Sequence, residues 1–355
     1  MNHKVNSPVF ITGVYRSGTT ILTGILGAHE ELDISHPSVQ YFRYILKKGI
    51  SPDDYKEIIH SISERVDLRY GIKLNIERII NDIDKEISIE GISHKIIYDS
   101  IMRSLYLNSG KRWGEKSLLE WTNIPTFLEM FPSGKTIHII RDPRDVLASY
   151  KNMTYETGDK YLDSVFNCLD SMQHAQKYTS SLSQERYCLV YFEDLINNKI
   201  REVERICSFL EIGFDKSLYK EGKIKEGVGE GSVHLTTASH SSFPEDIGDS
   251  FKRWDTKLPK NEIFFTESIL SKMMTEFGYE LSQSYEDNHL EWLLEIMSEN
   301  ELINERFINF LMTGKGAEGF PSDPTDPKNW SSSTMDQGKE LGKGAANAYK
   351  KLFKS

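Results

Sequence analysis

The sequence predicts an α/β fold: a parallel sheet flanked by helices, with a helical insertion over residues 51–109 and a disordered C-terminal tail over 313–355. Three observations lead there. Short apolar runs rich in β-branched residues alternate with stretches of helical period, a pattern that favours parallel strands covered on both faces. The first run, Val9-Phe10-Ile11, passes into the glycine-bounded loop Gly13-Val14-Tyr15-Arg16-Ser17-Gly18 and then into a helix pattern at Ile21, Leu22, Ile25 and Leu26. Between 51 and 108 the pattern is helical throughout.

Taken in chain order, 9–14 is a buried strand. Residues 28–37 read as turn-rich and lead to Tyr41, Phe42 and Tyr44. Ser51-Pro52-Asp53-Asp54 combines an N-cap, a proline and first-turn acids, which together start a helix. Ile58, Ile59, Ile62 and Val66 form one apolar stripe, Ile76, Ile79, Ile80 and Ile83 a second, and Ile96, Ile97, Ile101 and Leu105 a third. Residues 111–117 read as a short strand or loop, and 121–130 as a helix stopped by Pro132-Ser133-Gly134. Thr136-Ile137-His138-Ile139-Ile140 is a buried strand that runs into Arg141-Asp142-Pro143-Arg144-Asp145. There Asp142 suits an N-cap and Pro143 the first helical turn. A long helix to Ser181, a strand over 187–192 and a helix carrying Val203, Ile206, Phe209 and Leu210 follow. Residues 221–249, dominated by glycine and polar side chains, read as a long loop, with helices over 259–276 and 290–311 beyond it. The Gly-, Pro-, Ser- and Asp-rich stretch 313–344 has the composition of a disordered segment. Tyr349, Leu352 and Phe353 stand among lysines in what reads as a solvated end.

Composition narrows the class. The 355 residues are 38% hydrophobic and 27% charged, ordinary for a globular protein. A formal charge of −10 argues against a general nucleic-acid binder. Cys168, Cys188 and Cys207 are odd in number and widely spaced, which suits reduced core thiols better than a disulfide framework or a metal site. With no apolar run of membrane-spanning length and no signal-like N-terminal segment, the expected location is the cytoplasm.

The chemistry concentrates in the loop. A strand, a glycine-bounded turn and a helix start make an anion site, because the first helical amides lack intrahelical partners and the helix dipole is positive there. Gly18 allows close backbone approach, and Ser17, Thr19 and Thr20 can add hydroxyl donors. The spacing makes the sheet P-loop-like, close to G-x-x-x-x-G-K-[ST]. Thr19 stands where that pattern has lysine, and a cation, Arg16, comes earlier instead. Loss of the lysine that serves β- and γ-phosphates argues against nucleotide triphosphate hydrolysis. Three more cationic features fall at predicted strand ends or beyond: Lys116, Arg141 with Ser149, and Arg253 beside Trp254. Ligands of open parallel sheets bind off the carboxyl ends of the strands, so cations gathered there imply a polyanionic small ligand.

These residues resemble those of the sulfotransferases that use 3′-phosphoadenosine 5′-phosphosulfate (PAPS). Val14-Tyr15-Arg16-Ser17-Gly18-Thr19-Thr20 is similar to the family's 5′-phosphosulfate loop, and Ile139 through Tyr150 to its 3′-phosphate segment, where an arginine and a serine spaced like Arg141 and Ser149 hold that phosphate. Trp113-Gly114-Glu115-Lys116 resembles the segment with a lysine near the leaving phosphate, and Phe251-Lys252-Arg253-Trp254 the nucleotide-covering segment. In motif the chain looks most like the tyrosylprotein sulfotransferases and their bacterial relatives. The resemblance implies one sulfotransferase domain over 1–312, PAPS as donor, no metal, and an acceptor hydroxyl on a glycan, lipid, peptide or small metabolite. It implies Arg16 and Lys116 as charge stabilisers, with Arg16, Ser17, Gly18, Thr19, Thr20, Arg141, Ser149, Arg253 and Trp254 binding the nucleotide. The competing readings are a nucleotide or small-molecule kinase and a non-catalytic module that binds 3′-phosphoadenosine 5′-phosphate (PAP).

The general base departs from the family pattern. The histidine two positions beyond the lysine in cytosolic sulfotransferases is replaced by Leu118, and the glutamate that serves as base in the tyrosylprotein and glycan branches is not obvious after the loop helix. His36 lies in that passage and has a suitable unperturbed pKa of about 6.5. Glu31, Asp33 and Glu115 are its rivals, Glu115 also as an ion-pair partner of Lys116.

Overall fold

Among the described residues, the strand-forming runs assemble into a parallel sheet that places the first strand at its centre. The computed structural model describes residues 7–35, 39–46, 49–52, 54–70, 72–107, 109–151, 161–215, 252–283, 293, 295, 297–299 and 301–313. The strands are β1 (Val9–Gly13), β2 (Leu32–Ser35), β3 (Arg112–Lys116), β4 (Lys135–Ile140) and β5 (Tyr187–Tyr191), in the order β2-β3-β1-β4-β5. β1 pairs with β3 through Ile11 opposite Lys116 and with β4 through Gly13 opposite Ile139. Their carboxyl ends therefore come level around the loop that follows β1, at the point where chain order reverses.

Strand alternation divides the core. Val9 and Ile11 face one side with Ile137, Ile139, Cys188 and Val190, and pack against Leu22, Ile25 and Leu26 of α1 (Thr19–Gly27) and Val203, Ile206 and Leu210 of α10 (Lys199–Leu210). Phe10 faces the other side, stacked on Phe127 with ring centroids 5.0 Å apart and meeting Phe42 edge-on. That second face is covered by α2 (Tyr41–Tyr44), the insertion helices α3 (Tyr55–Tyr70), α4 (Ile76–Glu90) and α5 (His94–Leu105), and α6 (Ile124–Met130). α7 (Pro143–Lys151), α8 (Asp163–Ser181), α9 (Phe192–Asn197), α11 (Trp254–Lys257), α12 (Lys260–Glu276) and α13 (Glu301–Thr313) complete the described helices. Each fully buried Leu, Ile or Phe contributes about 1.5–3 kcal/mol, so the two faces together fix the register of β1.

Most expected elements are present with shifted ends, and two differ in kind. The turn-rich passage contains β2, whose Leu32 and Ile34 enter the core while Ser35 sits opposite Glu115. Phe192 opens α9 instead of closing β5. The insertion holds the three expected helices. Asp142 caps α7 as expected, its Oδ1 accepting the Arg144 amide at 2.9 Å. Cys168, Cys188 and Cys207 are buried and unpaired. The expected loop over 221–249, the tail beyond 313, Phe251, the start of the 290–311 helix and His36 lie outside the described residues.

Candidate active site

The loop after β1 is built around two left-handed residues, Arg16 (φ 65°) and Gly18 (φ 97°). Ser17 closes the turn, its Oγ donating to the Val14 carbonyl at 2.6 Å and its amide at 3.2 Å. Gly18 is the N-cap of α1 and brings no capping side chain. A Cβ at Gly18 would lie 2.3 Å from Cδ2 of Phe192. The phenyl ring thus forms the floor on which the loop rests, and glycine is required both by conformation and by contact.

The two anion segments are tied to each other. Arg16 Nε donates to Ser149 Oγ at 2.9 Å, across 133 residues of sequence. Arg141, leaving the end of β4, donates through Nη1 to the Arg16 carbonyl at 2.8 Å and lies over the Phe192 ring, 4.3 Å from its centroid. Lys116, the last residue of β3, points to the α1 side and donates to Thr20 Oγ1 at 3.3 Å. After β3 the chain stays close to the site, with the Ser117 and Leu119 amides bonded to the carbonyls of Ile11 and Gly13.

Electrostatics confirm how closely the cations gather. Burial, then the charge of Arg141 and then that of Arg253, lowers the Arg16 pKa. Burial lowers that of Arg141 too, where Asp145 and Glu193 counter it and Arg253 adds to it. Guanidiniums stay protonated under such shifts. Burial is the main cause of both shifts, and Arg253 lies close enough to the two guanidiniums for its charge to act on each.

Around the cations stands a layer of carboxylates that hold backbone. Glu193 Oε1 accepts the Asp142 amide at 2.8 Å, and Oε2 accepts the Tyr279 hydroxyl at 3.1 Å; burial pushes the Glu193 pKa up. Arg144 is bridged to Asp142 at 2.7 Å and to Glu267, and its guanidinium lies 3.8 Å from the Trp254 ring centroid. Asp145 accepts the Lys252 and Trp254 amides at 3.0 and 3.1 Å.

The structure thus brings Arg16, Ser17, Gly18, Thr19, Thr20, Lys116, Arg141, Ser149, Arg253 and Trp254 to the carboxyl end of the sheet. Three base rivals do not join them. Glu115 is not the ion-pair partner of Lys116: strand alternation turns it to the opposite face, where it is 0% exposed and accepts the Gln40 amide at 3.0 Å and the Tyr98 hydroxyl. Asp33 is held by Ser109 and by Lys111 at 3.8 Å, and Glu31 precedes β2, both toward the amino end of the sheet. Asp145, Glu193, Tyr279 and the floor formed by Phe192 escaped the sequence reading. Of these, Asp145 carried a local signal inside the Arg-Asp-Pro-Arg-Asp string, and Phe192 before Glu193 a departure from the family pattern, which has tyrosine there.

Known proteins resemble this chain in sequence and in fold. The model of the sulfotransferase family matches residues 8–216. Mouse (Mus musculus) carbohydrate sulfotransferase 1 is 23% identical over 174 residues, 43% of this chain and 40% of that protein. The Drosophila melanogaster protein-tyrosine sulfotransferase is 20% identical over 278 residues, 77% of this chain and 51% of that protein. The chain therefore spans about half the length of these relatives or less. The sulfotransferase domain of the Synechococcus PCC 7002 olefin synthase superposes with a TM-score of 0.53 at 19% identity, over 78% of this chain and 95% of that domain, a likeness of fold. Among the described residues no helix is long and apolar enough to cross a membrane, and no group of three or more His, Cys, Asp or Glu could hold a metal ion. With the family model matching more than half of its length, the chain belongs to the sulfotransferase family.

Proposed function

We propose that this chain is an enzyme that moves a sulfuryl group from PAPS to an acceptor hydroxyl. The observation that carries this reading is the pairing of the two anion segments, Arg16 on Ser149 and Arg141 on the Arg16 carbonyl. A donor with phosphate at both its 5′ and 3′ positions calls for two adjacent cationic subsites. The residues present fit that demand: an α1 start without a capping side chain, a loop glycine with no room for a Cβ, and three guanidiniums within each other's field.

In this reading Arg141 and Ser149 hold the 3′-phosphate. The amides of Ser17, Gly18, Thr19 and Thr20, with the hydroxyls of Thr19 and Thr20, hold the 5′-phosphate at the helix start. Arg253 and Trp254 cover the nucleotide. When bound, PAPS supplies an activated sulfuryl group whose departure leaves charge on the 5′-phosphate oxygen. Arg16 and Lys116 neutralise that charge, so catalysis is mainly positioning and charge stabilisation. His36 takes the acceptor proton. The acceptor hydroxyl belongs to a glycan, lipid, peptide or small metabolite, and the carbohydrate and protein-tyrosine sulfotransferases among the relatives support the first and third of these. Residues 1–312 form the catalytic domain and 313–355 an appended tail. Three buried, unpaired cysteines suit a reducing cytoplasm.

Thermal unfolding with ligands tests the donor. PAP at a hundred times its Kd adds about 2.7 kcal/mol to the native state and raises Tm in a concentration-dependent way, while ATP with Mg²⁺ raises it much less. A larger shift with ATP and Mg²⁺ would replace this reading with that of a kinase.

A further inference from the structure

A carboxylate inside an anion site is unexpected, and Asp145 is one. It lies within the field of Arg141, yet its two oxygens are committed elsewhere. Oδ2 accepts the Lys252 amide at 3.0 Å and Oδ1 the Trp254 amide at 3.1 Å. These two amides flank Arg253. Lys252 is left-handed (φ 55°) and Arg253 right-handed (φ −64°, ψ −27°). Successive residues of opposite hand turn their N–H groups toward one point and form a nest for an anion. Here that anion is supplied by the chain itself, from a helix more than a hundred residues earlier. A non-glycine residue at positive φ costs free energy, and the converging hydrogen bonds from the nest to Asp145 offset it. The neighbouring residue on α7 gives a second attachment, since Arg144 underlies the Trp254 ring at 3.8 Å and is itself fixed by Asp142 and Glu267. Between these two attachments the Arg253 side chain is delivered close enough to Arg16 and Arg141 for its charge to act on both.

We infer that Asp145 is a positioning residue of the donor site: by binding the nest at Lys252 and Trp254 it presents Arg253 to the same anion that Arg16 and Arg141 bind. The inference rests on the proposed donor for its functional consequence, though not for the contact itself. It makes Asp145 matter for nucleotide affinity without touching the nucleotide, and makes its effect depend on Arg253.

A double-mutant cycle measured with PAP tests this, together with amide hydrogen exchange of the whole chain. Asp145→Asn keeps the size of the side chain, but its amide group meets a second N–H where the carboxylate had accepted one. The expected result is a PAP Kd raised about 10- to 100-fold in Asp145→Asn, the range for losing one charge-assisted contact. A similar rise is expected in Arg253→Ala, and hardly more in the double variant, since the second change removes what the first has already misplaced. Additive losses, or an unchanged Kd in Asp145→Asn, would overturn the inference. The exchange arm needs no nucleotide: the Lys252 and Trp254 amides should exchange slowly in the wild type and faster in Asp145→Asn. Fast exchange at both in the wild type overturns the inference even if the variant fails to fold. A wild-type chain that does not bind PAP, but whose two amides lose protection in Asp145→Asn, counts against the donor reading and for the role of Asp145.

Discussion

Gly18→Ala tests whether the loop and the Phe192 floor form one unit. The added methyl would sit 2.3 Å from Cδ2 and 2.9 Å from Cε2 of Phe192, on a residue whose φ is 97°. Two costs follow. Holding a residue with a Cβ in the left-handed region costs about 1–2 kcal/mol, and forcing a methyl into packed space about 1–3 kcal/mol. Together they destabilise the variant by roughly 2–5 kcal/mol. Phe192→Ala alone costs about 3–5 kcal/mol from the cavity it leaves. In the double variant the clash is gone and the conformational cost remains, so the two losses should fall short of additivity by about 1–3 kcal/mol. Urea unfolding at constant m-value reads all four corners. The same Gly18→Ala variant should bind PAP more weakly, because the loop must leave the start of α1 to admit the methyl. Wild-type stability in Gly18→Ala, or strictly additive losses in the cycle, would refute the idea that the ring supports the loop by contact.

Binding and chemistry should separate among the other site residues: Arg141→Ala and Ser149→Ala raise the PAP Kd, whereas Lys116→Ala and Arg16→Ala lower kcat by about 10²–10³. Because Arg16 also bonds Ser149, its variant should show a raised Kd as well, which Lys116→Ala should not. His36→Ala should leave PAP binding intact, abolish most transfer and remove the acidic limb from the pH–rate profile; wild-type turnover with an unchanged profile would clear His36 of the role. His138 is fully buried between Ser171 Oγ at 2.8 Å and Tyr187 OH at 3.1 Å, and burial pushes its pKa down to about 3. An unfolded imidazole titrates near 6.5, so below that pH the unfolded chain takes up a proton that the folded chain refuses. Stability contributed by His138 is thus complete above about pH 6.5 and is lost as pH falls toward about 3; His138→Gln should flatten that slope in urea unfolding between pH 5 and pH 7, and an identical slope in both proteins would rule the imidazole out as its source.

What could be read without coordinates follows the range of the interactions involved. The loop, the Asp142 cap and the spacing of Arg141 to Ser149 are local: each lies within one turn or one strand–helix junction, where residue type and spacing carry the geometry. β2 was hidden because four residues, Leu32-Asp33-Ile34-Ser35, are too few for alternation to stand out beside turn formers, and only pairing with β3 makes them a strand. Glu115 stands next to Lys116 in sequence, and in a strand adjacency means opposite faces. Its partners are Tyr98 and Gln40, 17 and 75 residues away. Phe192 reads as the last residue of an apolar strand, and its place under both Gly18 and Arg141 exists only once β5 lies beside β4. The most informative case is Asp145. Its string announces a helix start, and a carboxylate there is already favourable by the helix dipole, so sequence offers no reason to look further. Only the fold brings Lys252 and Trp254 within reach, 107 and 109 residues later. The clustered cations were thus visible as motif, while the carboxylates and the ring packed around them were not, because those contacts are made across the sheet by residues whose own neighbourhoods look structural.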